Sequence, residues 1–418
     1  MWSRLRFDIG WSDLAYGAWR CLVPPDRDSA ERSLEATWSP EGFGIACHSV
    51  RTGFDLVLRS LDLPPDSEIL FSALNIEGML KVVGRLGFTA VPVDVDAEQV
   101  APRLEALERA ITPRSRVLVV AHLLGARLDL DPVIAVARRH GLFLIEDCAQ
   151  AFRGPGFIGH PQADVSMFSF GPLKTSTALG GALLTVRDAG LRARIKALQA
   201  EYPVQSRRDY AKRLARFVGL KLAMTRPGMA LVHRYFTLRG LEFDTTVGDA
   251  VRNVARLGNA KRLRKRPSAP MLALLERRLR TFSPARLAAR TAAGERLRAA
   301  LGQSLTVPGA ACPNRTHWVF TVLVEDPAAA MVWLRAAGFD ASNMPRIRAV
   351  DPPPGRPDLA PVTARHLLKH LLVLPCYAAM PPRALAREAE VVKRIAGRLE
   401  PAATTPAVPA VGLQPGGA

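Results

Sequence analysis

Short apolar runs alternate with helical segments between residues 50 and 190, and this alternation constrains the fold more than any other feature. The apolar runs have the length of buried strands and lie at 69–73, 90–95, 117–121, 142–145, 165–170 and 182–186. Most are separated by segments with a helical pattern, at 52–61, 77–86, 100–110 and 132–140. Buried strands that alternate with helices predict a large α/β domain with a mostly parallel sheet covered on both faces.

The last two apolar runs are joined by residues 171–181 only, which leaves no room for a crossover helix. We therefore predict a mixed sheet that ends in an antiparallel pair. A second unit begins near Pro284 and combines helices at 285–301, 327–337 and 384–399 with strands at 317–324 and 371–374. This pattern predicts a small C-terminal α+β domain. The predicted organisation is an N-terminal arm (1–45), the large domain (46–200), a basic helical segment (201–283), the small domain (284–400) and a disordered tail (401–418).

The chain carries a net charge of +19, and most of the excess lies in one segment. Residues 204–280 contain nineteen Lys/Arg and five Asp/Glu. Such an excess indicates an anionic partner, whether phosphate, nucleotide or membrane surface, and weak contact with an anionic membrane is one expectation. An Arg-rich composition with solvated helix faces is the alternative. The basic run 261–266 lacks interleaved aromatics and any recognisable nucleic-acid fold, so no nucleic-acid partner is expected.

The five cysteines are far apart and include no C-x-x-C pair, which argues against a disulfide framework and a zinc ribbon. The first residues lack the apolar stretch of a signal peptide, and nowhere do about 18 apolar residues run together. These features predict a cytoplasmic location.

Two residues carry the most specific chemical signal. Asp147 follows the apolar run 142–145, at the strand end where open α/β sheets bind ligands. Lys174 lies in the short connection between the last two runs. Pyridoxal 5′-phosphate (PLP) needs a lysine amine for its Schiff base and a carboxylate that keeps the ring nitrogen protonated. An ordinary surface ion pair would have the same spacing, so the two residues alone leave both interpretations open.

Longer motifs around these residues resemble a known family. They are Ile145-Glu146-Asp147-Cys148-Ala149-Gln150, then Asp164-Val165-Ser166-Met167-Phe168-Ser169-Phe170, then Lys174 and Gly180-Gly181. The pattern continues upstream at Pro92-Val93-Asp94-Val95-Asp96, His122-Leu123-Leu124-Gly125 and Asp129-Leu130-Asp131. It returns more weakly downstream, at His317-Trp318-Val319-Phe320 and Leu374-Pro375-Cys376-Tyr377. This set resembles the DegT/StrS-type sugar aminotransferases, which are PLP enzymes of the type I aspartate-aminotransferase fold.

The resemblance implies a role for each residue of the central motif. Lys174 would carry the cofactor, and Asp147 would pair with its pyridine nitrogen. Gln150 would lie beside the phenolic oxygen, and Ser169 would bind the phosphate. A helix-start polar residue and a strand hydroxyl satisfied by backbone are the alternatives for Gln150 and Ser169.

Three departures from the family pattern indicate a divergent branch. The Gly-Thr that usually holds the phosphate is replaced, so Arg51, Thr52 and Gly53 become the candidate donors at a helix N-terminus. The aromatic ring over the cofactor is replaced by Ile76. The family's Asn-x-Arg motif, which reaches the partner subunit's phosphate, maps near 264–268 without its asparagine and leaves Arg266 and Ser268.

Histidines give weaker signals. His122 ends a strand near the expected site, where it either contacts substrate or packs. His366 and His370 are four residues apart on a predicted helix, but no third ligand is evident, so no metal site is expected.

The resemblance implies transamination from an amino acid, with glutamate as the expected donor, to a keto-sugar or nucleotide-linked keto-sugar in glycan or secondary-metabolite biosynthesis. A carbonyl–amine reaction on a non-sugar acceptor is a second interpretation. From a different class, the chain would be a catalytically silent relative that acts as a binding or scaffold partner in polysaccharide assembly. A homodimer is expected, because type I active sites are completed across a two-fold interface.

Overall fold

The computed structural model describes residues 1–4, 6–239, 263–344 and 347–396. Within them the α-helices are α1 (Trp11–Leu22), α2 (Arg27–Trp38), α3 (Val50–Ser60), α4 (Glu77–Arg85), α5 (Leu104–Ala110), α6 (Asp131–Arg139), α7 (Ala189–Ala200), α8 (Arg207–Ala223), α9 (Arg226–Leu238), α10 (Ala269–Arg280), α11 (Pro284–Leu301), α12 (Pro327–Ala336), α13 (Val362–His370) and α14 (Pro382–Ala396). The strands are β1 (Trp2–Ser3), β2 (Gly44–Cys47), β3 (Glu68–Ser72), β4 (Leu74–Ile76), β5 (Thr89–Val93), β6 (Ser115–Ala121), β7 (Ala126–Arg127), β8 (Phe143–Asp147), β9 (Val165–Ser169), β10 (Ala182–Val186), β11 (Asn314–Arg315), β12 (Phe320–Leu323), β13 (Phe339–Asp340), β14 (Ile347–Ala349) and β15 (Leu371–Leu374). No helix in this described part is long and apolar enough to cross a membrane.

A seven-stranded sheet forms the centre of the large domain, in the order β2-β10-β9-β8-β6-β3-β5. Neighbouring strands from β9 to β5 are parallel, whereas β10 runs antiparallel to both β9 and β2. The six apolar runs in the sequence correspond to β3, β5, β6, β8, β9 and β10. The predicted mixed α/β sheet is confirmed.

Successive residues of the central strands pack on opposite faces of the sheet. In β6, Val117 and Val119 join one buried cluster, while Leu118 and Val120 join another. Because both faces are covered, the middle of β6 is apolar and does not alternate with polar residues. Asp147 and Ser169 end β8 and β9, at the edge of the sheet where the site described below lies.

The segment 1–45, predicted as an N-terminal arm, contains β1, α1, α2 and the first half of β2. Both helices pack on α10, and β2 extends the sheet beside β10. Asp26 caps α2 by accepting a hydrogen bond from the amide of Ser29 (2.9 Å). This segment therefore contributes to the core of the large domain.

The small domain packs α11, α12 and α14 around the antiparallel pair β12–β15, with a shared apolar core. It agrees with the α+β pattern expected from the sequence. Residues 240–262 of the basic segment, the last residues of the final predicted helix and the tail 401–418 lie outside the described residues.

Candidate active site

A cavity of about 1620 Å³ opens at the edge of the sheet where the parallel strands end. Asp147 ends β8, Ser169 ends β9 and His122 follows β6, while Lys174 lies between β9 and β10. All four residues line the cavity. Parallel strands bring their carboxyl ends to one edge, which is why residues far apart in sequence meet here.

The connection that carries Lys174 is fixed by backbone hydrogen bonds. The carbonyl of Phe170 accepts from the amides of Ala178 and Gly180 (both 3.1 Å), and the amide of Lys174 donates to the carbonyl of Gly171 (3.0 Å). These bonds hold the chain in a compact turn between two buried strands. The lysine side chain is thereby presented to the cavity from a rigid backbone.

Burial is the main cause that lowers the pKa of Lys174 to about 8; the charge of Asp147 opposes this shift, and the charge of Arg51 adds to it. Burial raises the pKa of Asp147, although the amide of Ala149 (2.9 Å) and the charge of Lys174 oppose this shift. The Nζ atom of Lys174 lies 4.2 Å from the ring centroid of Trp318. A larger fraction of the amine is therefore neutral near pH 8, as a nucleophilic lysine requires.

Gln150, Ser169 and Ile76 also line the cavity. The Oε1 atom of Gln150 accepts from the amide of Leu124 (2.9 Å), which leaves its NH₂ group to donate elsewhere. The hydroxyl of Ser169 accepts a long hydrogen bond from the amide of Gly171 (3.5 Å). Ile76 ends β4, which pairs with β14. The structure thus brings these three candidates together with Lys174 and Asp147.

His122 belongs to a buried hydrogen-bond network. Its Nδ1 accepts from the amide of Leu128 (3.0 Å), so its Nε2 donates to Glu146 (2.8 Å). Glu146 also accepts from the hydroxyl of Ser166 (2.6 Å) and the amide of His160 (2.7 Å). Burial opposes ionisation, but these bonds lower the pKa of Glu146 to about 2. His122, Glu146 and Cys148 have ligand-type atoms within 4.8 Å of one another, yet both ring nitrogens of His122 are already used.

At the N-terminus of α3, only one of the three candidate phosphate donors lines the cavity, and it is Arg51. Thr52 is fully buried and its hydroxyl donates to the carbonyl of Leu263 (2.8 Å). Gly53 packs on Leu184, whose Cδ1 would lie 2.6 Å from an added Cβ. The structure does not bring Thr52 and Gly53 to the cavity, because both face the core on the far side of the helix.

Three cavity residues at this end were missed in the sequence: His48, Arg213 and Lys265. The Nδ1 atom of His48 is buried and has no partner among the described residues. The pKa of His48 is lowered to about 3, mainly by burial and in addition by the charges of Arg213, Lys265 and Arg51. A neutral histidine beside three cations forms a site suited to an anion. Only the position of His48, just before α3, gave a signal in the sequence.

Arg266 and Ser268 have other partners. Arg266 forms an ion pair with Asp28 (3.6 Å), and the hydroxyl of Ser268 donates to the side chain of Gln205 (3.1 Å). Neither residue lines the cavity, whereas their neighbour Lys265 does.

The small domain contributes Trp318 and Arg290 to the cavity. The indole of Trp318 donates to the carbonyl of Leu173 (2.9 Å). Arg290 donates from Nε to the carbonyl of Thr316 (2.9 Å) and from Nη1 to the hydroxyl of Thr175 (3.1 Å). Its Nη2 is buried without a partner among the described residues, and burial lowers its pKa to about 10. No sequence pattern distinguished Arg290 from the many other arginines.

Glycine is required where the two domains meet. Gly125 has φ +86°, and a Cβ there would lie 2.5 Å from the amide nitrogen of Trp318. Its carbonyl accepts from both the amide (2.9 Å) and the hydroxyl (3.1 Å) of Thr316. The close approach places Trp318 over Lys174. The complete arrangement offers an amine nucleophile, a buried carboxylate, an anion-binding end and a guanidinium whose Nη2 has no partner among the described residues.

Comparison with known proteins agrees with this arrangement. The model of the DegT/DnrJ/EryC1/StrS aminotransferase family matches residues 20–236, about half of the chain. The chain is 34% identical over 178 residues to the UDP-N-acetyl-3-dehydro-alpha-D-glucosamine 3-aminotransferase of Acidithiobacillus ferrooxidans, which covers 40% of this chain and 47% of that protein. It is 30% identical over 224 residues to the GDP-perosamine synthase of Caulobacter vibrioides, which covers 51% of this chain and 58% of that protein. The chain spans about half the length of these curated relatives.

The fold is shared over almost the whole length. The aminotransferase TlmJ from Streptoalloteichus hindustanus superposes with a TM-score of 0.71 at 18% identity, over 95% of this chain and 99% of that one. This similarity confirms the type I fold expected from the sequence. With a matching family model over half of its length and a matching fold over nearly all of it, the chain belongs to the DegT/DnrJ/EryC1/StrS aminotransferase family.

Proposed function

We propose that this protein is a PLP-dependent aminotransferase that passes an amino group from an amino acid to a keto-sugar. The observation that carries the proposal is the pair formed by Lys174 and Asp147. The amine has a pKa of about 8, and the carboxylate is buried at the end of the neighbouring strand. Both line one cavity at the sheet edge where α/β folds bind ligands.

The residues present fit this cofactor. The partnerless Nδ1 of His48 and the cations Arg51, Arg213 and Lys265 suit a phosphate group at the N-terminus of α3. Asp147 would pair with the ring nitrogen, and the NH₂ group of Gln150 would donate to the phenolic oxygen. When bound, PLP supplies an electron sink that stabilises charge on the carbon next to the transferred nitrogen.

The protein side chains supply binding and proton transfer. Lys174 would hold the cofactor covalently, and its free amine would be the group that moves a proton at the reacting carbons. Its lowered pKa suits this role, because the free amine is neutral in a large fraction of molecules near pH 8. Trp318 covers the amine at 4.2 Å and limits access of water.

Arg290 is placed to bind the carboxylate of the amino donor. It is a partly buried cation that forms no ion pair with any described carboxylate, and its buried Nη2 has no hydrogen-bond partner among the described residues. A ligand carboxylate would satisfy this nitrogen and neutralise the charge. Glutamate is the expected donor.

A keto-sugar or nucleotide-linked keto-sugar is the proposed acceptor. Two relatives at 30–34% identity are named as acting on a UDP-linked dehydroglucosamine or as making GDP-perosamine. A cavity of about 1620 Å³ is large enough for a cofactor and a substrate of that size, and its cationic end suits a diphosphate. Family membership also supports a homodimer, which sedimentation at micromolar concentration would test. The described cysteines are all free, which supports a reducing cytoplasm.

The test is cofactor loading at Lys174. Purified protein incubated with PLP should absorb at roughly 410–430 nm, and borohydride reduction should attach the cofactor to the peptide that contains Lys174. Lys174→Ala should abolish both signals, whereas the exposed control Lys369→Ala should keep them. A protein that PLP cannot colour would refute the enzyme and support the scaffold alternative.

A further inference from the structure

Helix α1 presents an apolar stripe to solvent. Its inner face includes Gly17, which packs against Leu214 of α8 and Leu274 of α10. On the outer face, Trp11, Trp19 and Leu22 recur at helical spacing and are 51%, 47% and 78% exposed. A surface helix normally carries polar residues on this side, so the stripe indicates a contact with something apolar.

A basic helix lies alongside this stripe. The amine of Lys221, near the end of α8, lies 5.3 Å from the ring of Trp11, while the charge of Arg207, at its start, acts on Cys21 near the end of α1. The two helices are therefore antiparallel. Helix α8 contains six basic residues and one acidic residue, and Arg207, Arg208, Lys212 and Arg216 are exposed.

Helix α9 extends the same pattern beyond Met224. Leu231 and Leu238 are 69% and 76% exposed, and the exposed Arg234 lies between them. Leu222, which precedes the turn into α9, is also exposed. Three helices thus expose leucine and tryptophan side chains next to basic ones. The outer faces of α1, α8 and α9 are called the basic–apolar surface below.

Within the described part of the chain, most basic side chains of this surface have no acidic partner. No described carboxylate forms an ion pair with Arg208, Lys212, Arg216 or Arg234. Elsewhere, Arg277 and Arg278 pair with Asp13 on the inner side of α1. Acidic residues are therefore used inside the domain, and the outer side keeps its positive charge.

We propose that the basic–apolar surface docks on an anionic lipid bilayer. Tryptophan and leucine side chains enter the boundary between headgroups and acyl chains, and the adjacent Lys and Arg side chains bind lipid phosphates. A second copy of the chain that placed this surface on the two-fold axis, against its own equivalent, would oppose like charges. The tryptophan, leucine and basic side chains named for this surface do not line the cavity, although Arg213 on the inner side of α8 does. The inference therefore does not rest on the aminotransferase activity.

The experiment is co-sedimentation of the full-length protein with phosphatidylcholine vesicles, with and without phosphatidylglycerol, at low and high salt. The wild-type protein should bind the anionic vesicles, and high salt should weaken binding. Arg208→Gln combined with Lys212→Gln should lower the partition coefficient about 25-fold, since each basic residue contributes about fivefold. Trp19→Ser combined with Leu22→Ser should lower it at least about 10-fold through lost apolar insertion.

Matched controls lie on the small domain. Arg383→Gln with Arg387→Gln removes two exposed charges, and Val332→Ser with Val362→Ser removes two exposed apolar side chains. These variants should bind vesicles like the wild type. The proposal would be overturned if the wild-type protein did not bind vesicles or if the control variants lost as much binding. It would also be overturned if variants of the basic–apolar surface became monomeric without losing vesicle binding. Retention on duplex DNA that survives the Trp19/Leu22 change would also overturn it, because the surface would then be a general polyanion site.

Discussion

Replacing Arg290 with methionine should weaken binding of the amino donor without unfolding the protein. The guanidinium uses Nε and Nη1 for Thr316 and Thr175, and its Nη2 has no partner among the described residues. A hydrogen bond to a charged group contributes about 1.5–3 kcal/mol, which corresponds to a factor of about 10 to 150 in the donor's dissociation constant. Stability should change little, because the variant also removes a partly buried charge that forms no ion pair with a described carboxylate.

The assay is the first half-reaction, followed by the absorbance change when the PLP-loaded protein meets L-glutamate in a stopped-flow instrument. The donor concentration at half-maximal rate should rise in Arg290→Met and stay unchanged in Arg296→Met, an exposed arginine on the same helix. Repeating the assay with 4-aminobutyrate and norvaline, which each lack one glutamate carboxylate, identifies the carboxylate that Arg290 binds. Arg290→Met should lose the preference for glutamate over only one of these two analogues. An unchanged half-saturation concentration for glutamate would refute the proposed role.

Four further predictions follow from the same geometry. The rate at which the apo-protein takes up PLP should rise with pH through about 8, and Asp147→Asn should move this inflection to lower pH, because Asp147 raises the pKa of Lys174. The lysine binds more protons in the unfolded state between pH 8 and 10.5, so the unfolding free energy should rise with pH in that window, and Lys174→Met should abolish this part of the rise. Gly159→Ala should lower the free energy of unfolding by about 2–5 kcal/mol in a urea titration, because φ is +108° and the Cβ would lie 2.0 Å from the hydroxyl of Ser166. The control Gly141→Ala has open space at φ +64° and should lower it by only about 1 kcal/mol. Thr52→Val should lower the free energy of unfolding by about 1–3 kcal/mol and leave the affinity for PLP unchanged. Arg51→Met, in contrast, should weaken PLP binding. A loss of PLP affinity in Thr52→Val at full stability would show that Thr52 binds the phosphate after all.

Much of the large domain was predictable because its strands are buried on both faces. The sequence from 117 to 121 is apolar throughout, and it forms β6 within two residues of the predicted start. The mixed sheet also followed from chain length alone, since residues 171–181 are too few for a crossover helix. β2 was missed because Gly44–Cys47 is short and contains two small residues.

The site was predictable only where several residues share one motif. Asp147, Gln150, Ser169 and Lys174 lie within 28 positions of one another, and the structure places all four around the cavity. At the N-terminus of α3, the choice among adjacent residues depends on which side of the helix meets the cavity. A helix turns by about 100° per residue, so Arg51 faces the cavity while Thr52 and Gly53 face the core. Arg290 and Lys265 come from distant segments, and only the tertiary fold brings them to the site.

The hydrogen bond between Gln150 and Leu124 has a consequence for how ligand binding and domain position influence each other. Leu124 precedes Gly125, whose carbonyl holds Thr316 of the small domain. A ligand that changes the position of the Gln150 side chain therefore acts on the backbone that the small domain contacts. By thermodynamic linkage, the coupling is reciprocal: a small domain that docks more tightly on Gly125 favours one state of the ligand at Gln150 by the same free energy. The bound and free states of the cavity should then differ in the closure of the two domains.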